Sequence, residues 1–220
     1  MSASTVFVTG GTGYIGRPLV AMLVARKHDV HALVRPGSED KVATGAKAVT
    51  GDALDAASFA YAIPRGATIV HLVGTPHPNP SKVAEFERVD LASIRATATA
   101  AVAASAAHIV YVSVARPAPL MRSYIAAREQ GEAAVTATGI AHTFVRPWYV
   151  LGPGHYWPYL LVPVYALARL LPPTRDQAAR LGLVTLGQMV TALVASVETP
   201  PANGSRIVDV PAISRAQLLK

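Results

Sequence analysis

Short apolar runs alternate along this chain with longer stretches in which apolar residues recur at helical spacing. A first run starts at Val6, and further runs occupy residues 30–34, 46–50, 67–73, 109–114, 141–145 and 205–210. Helical patterns follow residue 16 as far as residues 26–27 and occupy residues 81–107, 121–138 and 183–197. Strands that alternate with helices form right-handed βαβ units. The pattern therefore predicts an α/β fold, a doubly wound parallel sheet with helices on both faces.

A glycine-rich turn ends the first apolar run, and a helical pattern begins directly after it. The spacing fits G-x-G-x-x-G at residues 11–16 and the overlapping G-x-x-G-x-x-G at residues 10–16. Such glycines allow a tight turn and close approach of backbone to a pyrophosphate, and the helix N-terminus offers free N–H groups to phosphates. We therefore predict a dinucleotide-binding turn, and a turn without a ligand is the alternative. Its cofactor-binding residues are Gly10, Thr12, Gly13, Tyr14, Ile15 and Gly16.

The composition indicates a globular chain with a buried core. Because 51% of the 220 residues are apolar and 15% are charged, we expect one folded domain over residues 1–220. The chain has no cysteine, which excludes disulfides and thiolate chemistry. Residues 1–5 include no apolar stretch of the signal-peptide type, and no apolar run reaches the roughly 18–20 residues of a membrane span. We expect a cytoplasmic protein without a transmembrane segment or a metal site.

The net charge of +7 raises the question of a nucleic-acid partner. The basic residues are scattered, and the sequence has neither a dense basic run nor a nucleic-acid-binding motif. A phosphorylated small molecule is a simpler anionic ligand for such a chain. We therefore predict a small-molecule partner and no nucleic acid, and we make no prediction of the oligomeric state.

The residue at the end of the second predicted strand selects the cofactor in dinucleotide-binding folds. An acidic residue there accepts a hydrogen bond from the ribose of NAD, whereas an arginine accommodates the 2′-phosphate of NADP. This chain has Arg35 at that position, and Glu39 and Asp40 come later. Arginine makes charge-assisted bidentate contacts with phosphate. We predict that NADP(H) is preferred, with NAD(H) as the alternative cofactor and an ordinary surface arginine as the alternative role.

Asp52 follows the third predicted strand in the dipeptide Gly51-Asp52. This position lies near the adenine of a dinucleotide. A second interpretation is that Asp52 or Asp55 caps a helix that runs through Ala62.

The fourth predicted strand leads into Val73 and Gly74, where a glycine lets a cofactor lie close to the backbone. His71 lies inside this apolar strand, and we interpret it as a core histidine. A proline-rich loop follows at the carboxyl end of the strand, where ligands bind in open α/β sheets. His77 and Asn79 are therefore candidate site residues, and loop packing is the alternative for both.

Four motifs occur in one order along almost the whole chain. They are TGGTGYIG at residues 9–16, Gly51-Asp52, YVSV at residues 111–114 and RPWYVLGPG at residues 146–154. With these motifs the chain resembles the atypical and extended branches of the short-chain dehydrogenase/reductase superfamily. The resemblance implies a Rossmann sheet of about seven strands, an NAD(P) cofactor and a small C-terminal substrate region.

The resemblance also assigns catalytic roles by position. It places the catalytic serine at Ser113, the catalytic tyrosine at Tyr124 and the lysine four residues later at Arg128. The asparagine of the family falls at Asp90 in a looser local pattern. Arg128 departs from the family because a planar guanidinium is not equivalent to an ammonium, although it keeps the charge and can bind the ribose hydroxyls.

The residue types suit a carbonyl that accepts a hydride. A tyrosine hydroxyl can donate a proton to the developing oxyanion while a serine hydroxyl holds the oxygen. A free tyrosine has a pKa of about 10, so a nearby cation is needed to stabilise the phenolate. Tyr124 and Arg128 are four residues apart and share one helical face. The alternative is a surface pair in a protein that binds the cofactor without catalysis.

The segment after the sixth predicted strand is rich in aromatic residues. The resemblance places the substrate pocket in residues 147–185, with Pro147 at the cofactor and with Trp148, Tyr149 and His155 in the pocket. Polar groups that could grip a sugar are scarce there, which favours an apolar or aromatic substrate. Residues 160–171 are almost entirely apolar. Core packing with a cap, a partner protein and peripheral contact with a membrane are the alternatives for this run, and its one arginine is a poor polar face for a lipid-bound helix.

Taken together, the sequence predicts an NADP-dependent oxidoreductase that transfers a hydride to or from a carbonyl-type centre of an apolar small molecule. Epimerase or dehydratase chemistry through transient oxidation uses the same site. The alternative is a non-catalytic NADP-binding regulator or assembly subunit, which the arginine at position 128 favours.

Overall fold

Seven parallel strands form the main sheet of the computed structural model, which describes residues 3–76, 78–118, 121–153, 160, 180–202 and 204–218. The strands of this sheet are β1 (Thr5–Thr9), β2 (Asp29–Val34), β3 (Lys47–Thr50), β4 (Thr68–His71), β5 (His108–Val112), β6 (Ala141–Val145) and β9 (Ser205–Val208). Their order is β3-β2-β1-β4-β5-β6-β9, and each pair of neighbours is parallel. The predicted α/β fold with a parallel sheet of about seven strands is confirmed.

Helices cover both faces of this sheet. They are α1 (Gly16–Ala25), α2 (Val83–Glu85), a π-helical segment (Phe86–Leu91), α3 (Ala92–Ala103), α4 (Arg122–Thr136), α5 (Leu186–Glu198) and α6 (Val210–Arg215). One buried cluster contains apolar residues of α1, α5 and α6, and a second cluster contains apolar residues of α3 and α4. Two separate cores on one sheet are the mark of a doubly wound fold.

The strand order reverses at β1, which pairs with β2 on one side and with β4 on the other. The connections that follow β1 and β4 therefore lead to helices on opposite faces of the sheet, and a crevice forms at the carboxyl ends of these two strands. Ligands of open α/β sheets bind in such a crevice. No helix among the described residues is long and apolar enough to cross a membrane.

A second, two-stranded parallel sheet joins β7 (Tyr149–Leu151) to β8 (Leu183–Thr185). The sequence pattern predicted one helix over residues 183–197, and this boundary is wrong. Thr185 ends the strand and caps α5, because its side chain accepts a hydrogen bond from the backbone N–H of Gln188 and the Gln188 side chain accepts one from the backbone N–H of Thr185. This reciprocal capping box fixes the helix start at Leu186.

Other predicted boundaries also differ from the structure. The pattern over residues 81–107 predicted one long helix, whereas a 3₁₀ turn at Pro80–Lys82 precedes α2 and the π-helical segment interrupts the run. The helix predicted through Ala62 is two 3₁₀ turns, Ala56–Ser58 and Ala60–Ala62. The last strand ends at Val208, because Asp209 caps the additional helix α6 by accepting from the N–H of Ala212.

Candidate functional site

A cleft of about 480 Å³ lies at the carboxyl ends of β1 to β4, at the reversal point of the sheet. Backbone of the glycine-rich turn forms one part of it, and the chain that follows β2, β3 and β4 forms the rest. Its lining residues are Gly10, Thr12, Gly13, Leu33, Val34, Arg35, Gly51, Asp52, Ala53, Leu54, Leu72, Val73, Gly74, Pro76 and Val89. Seven of the predicted cofactor-binding residues therefore meet in one cleft, namely Gly10, Thr12, Gly13, Arg35, Asp52, Val73 and Gly74.

The glycine-rich turn has no room for side chains. Gly10 has a φ of +75°, and the N–H of Gly13 donates to the carbonyl oxygen of Gly10 at 3.0 Å. A Cβ on Gly16 would lie 2.1 Å from the Gly10 oxygen and 2.7 Å from the Gly11 Cα, which are both backbone atoms. A Cβ on Gly10 would lie 3.1 Å from backbone atoms of Leu72 and Val73. Bare backbone therefore lines this part of the cleft, and it fits the pyrophosphate of a dinucleotide.

Five of the predicted cofactor residues do not line the cleft, namely Tyr14, Ile15, Gly16, Arg128 and Pro147. A Cβ on Gly152 would lie 2.3 Å from the hydroxyl oxygen of Tyr14, so Tyr14 packs against the motif at residues 146–154. Ile15 packs partly buried against the core cluster of α1 and α5. The carbonyl oxygen of Pro147 accepts a hydrogen bond from the N–H of Ala115. Tyr14 and Ile15 therefore pack the glycine-rich turn against the motif after β6 and the core, and Pro147 connects the end of β6 to the loop after β5.

Arg35 is exposed at the end of β2 and lines the cleft. Its side chain has no hydrogen bond or ion pair with another residue of the described part of the chain. Glu39 is already engaged, because its carboxylate accepts from the N–H of Gly37 at 3.2 Å and from the hydroxyl of Thr50 at 3.1 Å. Hydrogen bonds from backbone groups lower the pKa of Glu39 and keep it ionised. The guanidinium of Arg35 is therefore available for an anionic ligand.

The Gly51-Asp52 dipeptide lies at the edge of the cleft and begins a turn. Asp52 lines the cleft, and its Oδ1 accepts from the N–H of Leu54 at 2.9 Å. Asp55 caps the 3₁₀ turn that follows, because its Oδ1 accepts from the N–H of Ala57 at 3.0 Å. Asp52 thus fixes a turn at the cleft edge, and the capping role belongs to Asp55.

A buried ion pair joins α4 to the π-helical segment. Nη2 of Arg128 lies 2.6 Å from Oδ1 of Asp90, and their side chains are 6% and 0% exposed. Nη1 of Arg128 donates to the carbonyl oxygen of Val112 at 3.0 Å and to the hydroxyl of Tyr111 at 3.4 Å. Burial opposes the charged form of Arg128, but Tyr124, Tyr111 and Asp90 raise its pKa, so the guanidinium stays protonated.

Tyr124 lies between this guanidinium and an aromatic neighbour. The Cζ of Arg128 is 5.2 Å from the centroid of the Tyr124 ring, a cation–π distance. Phe86 packs edge-to-face on the same ring with centroids 5.1 Å apart. The predicted sharing of one helical face by Tyr124 and Arg128 is therefore observed as a direct contact.

Gly74 brings Arg128 to the wall of the cleft. A Cβ on Gly74 would lie 2.1 Å from Nη2 of Arg128, so the guanidinium occupies the space that a side chain would need. The neighbouring Thr75 donates to Oδ2 of Asp90 from its N–H at 2.9 Å and from its hydroxyl at 2.5 Å. The ion pair therefore supports the backbone that lines the cleft after β4.

Ser113 follows β5 directly and is buried, with 4% of its surface exposed. Its N–H donates to the carbonyl oxygen of Val145 at 2.8 Å, and its Oγ has no hydrogen-bond partner among the described residues. A buried hydroxyl without a partner is costly unless a ligand or water completes it. Ser113 does not line the cleft of 480 Å³.

A buried glutamate fixes the loop after β5. Glu132 of α4 accepts from Nε of Arg146 at 2.9 Å and from Nη2 of the same residue at 2.5 Å. Nη2 of Arg116 donates to the same carboxylate at 2.5 Å. The two arginines lie beyond β5 and β6, so Glu132 holds the segments of Ser113 and Trp148 against one helix.

Trp148 and Tyr149 begin the predicted pocket segment and are partly buried. Their rings meet edge-to-face with centroids 5.4 Å apart, and burial raises the pKa of the Tyr149 phenol. His77 and His155, which were also predicted for the pocket, lie outside the described residues. Asn79 caps the turn at Pro80–Lys82, because its side chain accepts from the N–H of Ser81, and the loop-packing alternative applies to it.

Several residues of the site were missed or only loosely placed by sequence reasoning. Asp90 contacts Arg128, which is 38 positions away, and Thr75, which is 15 positions away, and no local pattern predicts these contacts. Leu33, Leu54 and Val89 line the cleft as apolar residues that resemble ordinary core positions in sequence. The described residues include no group of three or more acidic and histidine side chains that could hold a metal.

This chain belongs to the NAD(P)H-binding family, whose model matches residues 10–154. The match begins in the glycine-rich turn and ends in the motif after β6, and it therefore includes the whole cleft. The family agrees with the predicted nicotinamide dinucleotide cofactor.

Among curated proteins, the chain is similar to a ceramide reductase of Caulobacter vibrioides (strain NA1000 / CB15N). The two are 31% identical over 215 residues, which cover 93% of this chain and 64% of the relative. It is also 34% identical over 161 residues to the chloroplastic divinyl chlorophyllide a 8-vinyl-reductase of Oryza sativa subsp. indica, which covers 66% of this chain and 40% of that protein. The chain thus spans less than two thirds of the length of these relatives.

Solved structures share the fold at low sequence identity. MoeE5 in complex with UDP-glucose and NAD matches with a TM-score of 0.68 and 21% identity, covering 96% of this chain and 79% of that chain. The Bordetella bronchiseptica enzyme WbmH in complex with NAD⁺ matches with a TM-score of 0.67 and 17% identity, covering 93% and 75%. These likenesses concern the arrangement of the Rossmann sheet.

Proposed function

We propose that this protein is an NADP(H)-dependent oxidoreductase that acts on a carbonyl-type centre of an apolar small molecule. The observation that carries the proposal is the position of Arg128, which contacts the Tyr124 ring and fills the space beside Gly74. Through this contact the predicted acid–base helix meets the wall of the dinucleotide cleft. The bound cofactor would supply or accept a hydride at C4 of its nicotinamide.

The cleft residues would hold the cofactor by ordinary dinucleotide chemistry. The bare turn at Gly10 and Gly13 suits the pyrophosphate, and Arg35 suits a 2′-phosphate because its charge has no partner in the described chain. Asp52 and Val73 lie at the rim where the adenosine and the nicotinamide riboside would pass. Tyr14, Ile15, Gly16 and Pro147 would act by supporting this cradle.

Tyr124, Ser113 and Arg128 are the proposed catalytic residues. The Tyr124 hydroxyl would donate a proton to the oxyanion that forms as a carbonyl is reduced. The Ser113 hydroxyl is buried and lacks a partner in the described chain, so it could hold that oxygen. Arg128 provides the positive charge beside the phenol.

An apolar substrate is favoured by the aromatic pair Trp148 and Tyr149 at the start of the pocket segment. His77 and His155 remain proposed pocket residues. The names of the two curated relatives point the same way, because ceramide and divinyl chlorophyllide are both molecules with large hydrocarbon parts. Sugar hydroxyls buried against aromatic and aliphatic side chains without partners would be costly.

A second candidate function is a non-catalytic NADP(H)-binding module. The observation that favours it is the ion pair of Arg128 with Asp90, because the guanidinium is already engaged by a buried carboxylate. In either case we propose one domain in a cytoplasmic protein, a location with which the absence of cysteine agrees.

The test is NADPH oxidation by the purified protein across a panel of lipophilic ketones and quinones. We expect Tyr124→Phe to keep its affinity for NADPH and to lose about a hundredfold or more of the turnover, because it lacks the proton donor. Tyr61→Phe is the matched control, since Tyr61 is 81% exposed and is not part of the cleft lining. Full turnover in Tyr124→Phe would contradict the catalytic assignment. Tight NADPH binding without turnover in the wild type would support the second candidate.

A further inference from the structure

The Tyr124 ring lies beside one member of a buried pair of opposite charges. Arg128 is 5.2 Å from the ring centroid, and Asp90 contacts the guanidinium at 2.6 Å. We infer that Asp90 is a positioning residue that limits how strongly the charge of Arg128 acts on the Tyr124 phenol. The proton donor of the proposed reaction is therefore tuned by a carboxylate on a different element.

Burial strengthens the electrostatic effect of both charges of the pair on the Tyr124 phenol. The Asp90 side chain is fully buried and that of Arg128 is 6% exposed, so little water screens them. At this low dielectric a lone guanidinium beside a phenol strongly favours the phenolate. A carboxylate in contact with the guanidinium turns the pair into a dipole, whose field on the ring is weaker than that of a single charge.

The structure holds the Asp90 side chain in place. Its Oδ2 accepts two hydrogen bonds from Thr75, and its Oδ1 faces Arg128. The residue lies in the π-helical segment Phe86–Leu91, a rare conformation that recurs at functional sites. Phe86 of the same segment packs on the Tyr124 ring. One short segment thus fixes both the carboxylate and the aromatic ring that it influences.

The groups that face Arg128 from other elements leave Asp90 as the main counter-charge. Tyr111 of β5 accepts a hydrogen bond from Nη1, and burial raises the pKa of its phenol, so it is neutral near pH 7. His71 of β4 contacts the Tyr111 ring with centroids 5.6 Å apart. Burial and then the charge of Arg128 lower the pKa of His71 to about 3, so the imidazole is neutral as well.

The test compares the ionisation of Tyr124 in the wild type and in Asp90→Asn, which removes the charge and keeps the shape. The probe is the NMR signal of tyrosine labelled with ¹³C at Cζ, assigned by its loss in Tyr124→Phe, in the protein without substrate. We expect the pKa of Tyr124 to fall by about one to two units in Asp90→Asn. An unchanged titration would overturn the inference.

Two variants separate charge from packing. Asp90→Glu keeps the charge, and Thr75→Val removes one hydrogen bond to Asp90 while the carboxylate stays. Both are expected to titrate near the wild type. A shift in Thr75→Val as large as that in Asp90→Asn would show that local packing moves the phenol, and the inference would fail.

A double variant covers the case in which Asp90→Asn does not fold because it leaves Arg128 alone in the core. Asp90→Asn with Arg128→Gln replaces the pair by neutral side chains of similar size. We expect its Tyr124 titration to stay near that of the wild type. A large rise in the pKa of Tyr124 in the double variant would mean that Arg128 stabilises the phenolate strongly in the wild type although Asp90 is beside it. That result would overturn the inference. The inference deepens the proposed function, but the titration needs no turnover, so an inactive wild type would contradict only that function.

Discussion

His71 lies inside the sheet with three hydroxyl groups around its ring. Nδ1 is 2.9 Å from the Thr9 hydroxyl and 3.0 Å from the Thr97 hydroxyl, and Nε2 is 3.3 Å from the Ser93 hydroxyl. The sequence-based interpretation of a core histidine is thus confirmed. These hydroxyls satisfy a neutral imidazole, and no acidic side chain among the described residues forms an ion pair with the ring.

This burial predicts an acid-sensitive fold. An unfolded histidine binds a proton near pH 6.5, whereas folded His71 does so only near pH 3. The unfolded chain therefore binds one more proton in this window, and the free energy of unfolding decreases as the pH falls. We expect His71 to contribute about 1.4 kcal/mol per pH unit between about pH 6 and pH 4. His108, whose pKa is lowered to about 4 by burial and then by nearby charges, adds to the same slope.

Chemical denaturation at several pH values measures this slope. His71→Gln keeps a hydrogen-bonding side chain. We expect the slope of its unfolding free energy against pH to be smaller by the equivalent of one bound proton, even if the variant is less stable overall. His31→Gln is the matched control, because His31 is only partly buried and its ring pairs with Asp29. Equal slopes in the wild type and His71→Gln would contradict the prediction.

Arg35 carries the prediction of cofactor preference. Loss of a charge-assisted contact with phosphate weakens binding by about ten- to a hundredfold. We therefore expect Arg35→Ala to lose NADPH affinity by this factor and to keep its affinity for NADH, as measured by fluorescence titration of both cofactors. Arg65→Ala is a control, since Arg65 is a surface residue outside the cleft lining. Equal wild-type affinities for NADPH and NADH would refute the preference.

At the level of single residues, the sequence could predict those parts of the site that depend on short spacings. The four-residue interval placed Tyr124 and Arg128 on one helical face, and the glycine spacing placed the turn in the cleft. The steric requirement for a glycine at position 74 could not be predicted, because the guanidinium that fills the space belongs to Arg128, 54 residues further along the chain. The same holds for Asp90, whose partners depend on tertiary packing.

Among the elements, α1 depends most closely on a glycine. We expect Gly16→Ala to lose about 1–3 kcal/mol of unfolding free energy, because its Cβ would clash with backbone that cannot move aside. The variant should also bind NADPH more weakly, since the turn must open. Chemical denaturation and NADPH titration measure the two effects.

Gly187 is the matched control for this substitution, because it also lies in the first turn of a helix. A Cβ there would find its nearest neighbour, the Thr185 hydroxyl, at 3.9 Å. Gly187→Ala is therefore expected to be neutral or to stabilise the fold by up to about 1 kcal/mol. If both alanine variants are equally stable, steric exclusion at Gly16 is not the reason for its glycine.

Element types could be predicted more reliably than element ends. Apolar runs predicted all seven strands of the main sheet. The inner strands β1, β2, β4, β5 and β6 are mostly buried, as expected for parallel strands covered on both faces. The start of α5 was missed although its capping box, Thr185 with Gln188, is visible in the sequence. The π-helical segment could not be predicted, since the helical period continues through it almost unchanged.

For the whole molecule, the prediction concerns the class of ligand. If the proposed apolar pocket lies beside the cofactor cleft, a lipophilic ketone or quinone that fills it should stabilise the protein in the presence of NADPH. A ligand at about a hundred times its Kd is expected to raise the Tm by about 5–10 °C for a chain of this size. Nucleotide sugars at matched concentration serve as the comparison, and stabilisation by them alone would contradict an apolar substrate. Sedimentation with liposomes would instead favour a membrane contact.

The first and the last long helices share one core. Buried residues of α1, among them Leu19 and Leu23, belong to the same cluster as Met189 and Leu193 of α5. Beside this contact, Nε of Arg26 forms an ion pair of 2.6 Å with Oε1 of Glu198, which lies 172 positions later in the chain. Ribosomes add about 5–20 residues per second, so α1 waits roughly ten to thirty seconds for its partner. During translation the part of the α1 apolar face that α5 covers therefore lacks its partner, and we expect the nascent chain to bind chaperones until α5 emerges from the ribosome.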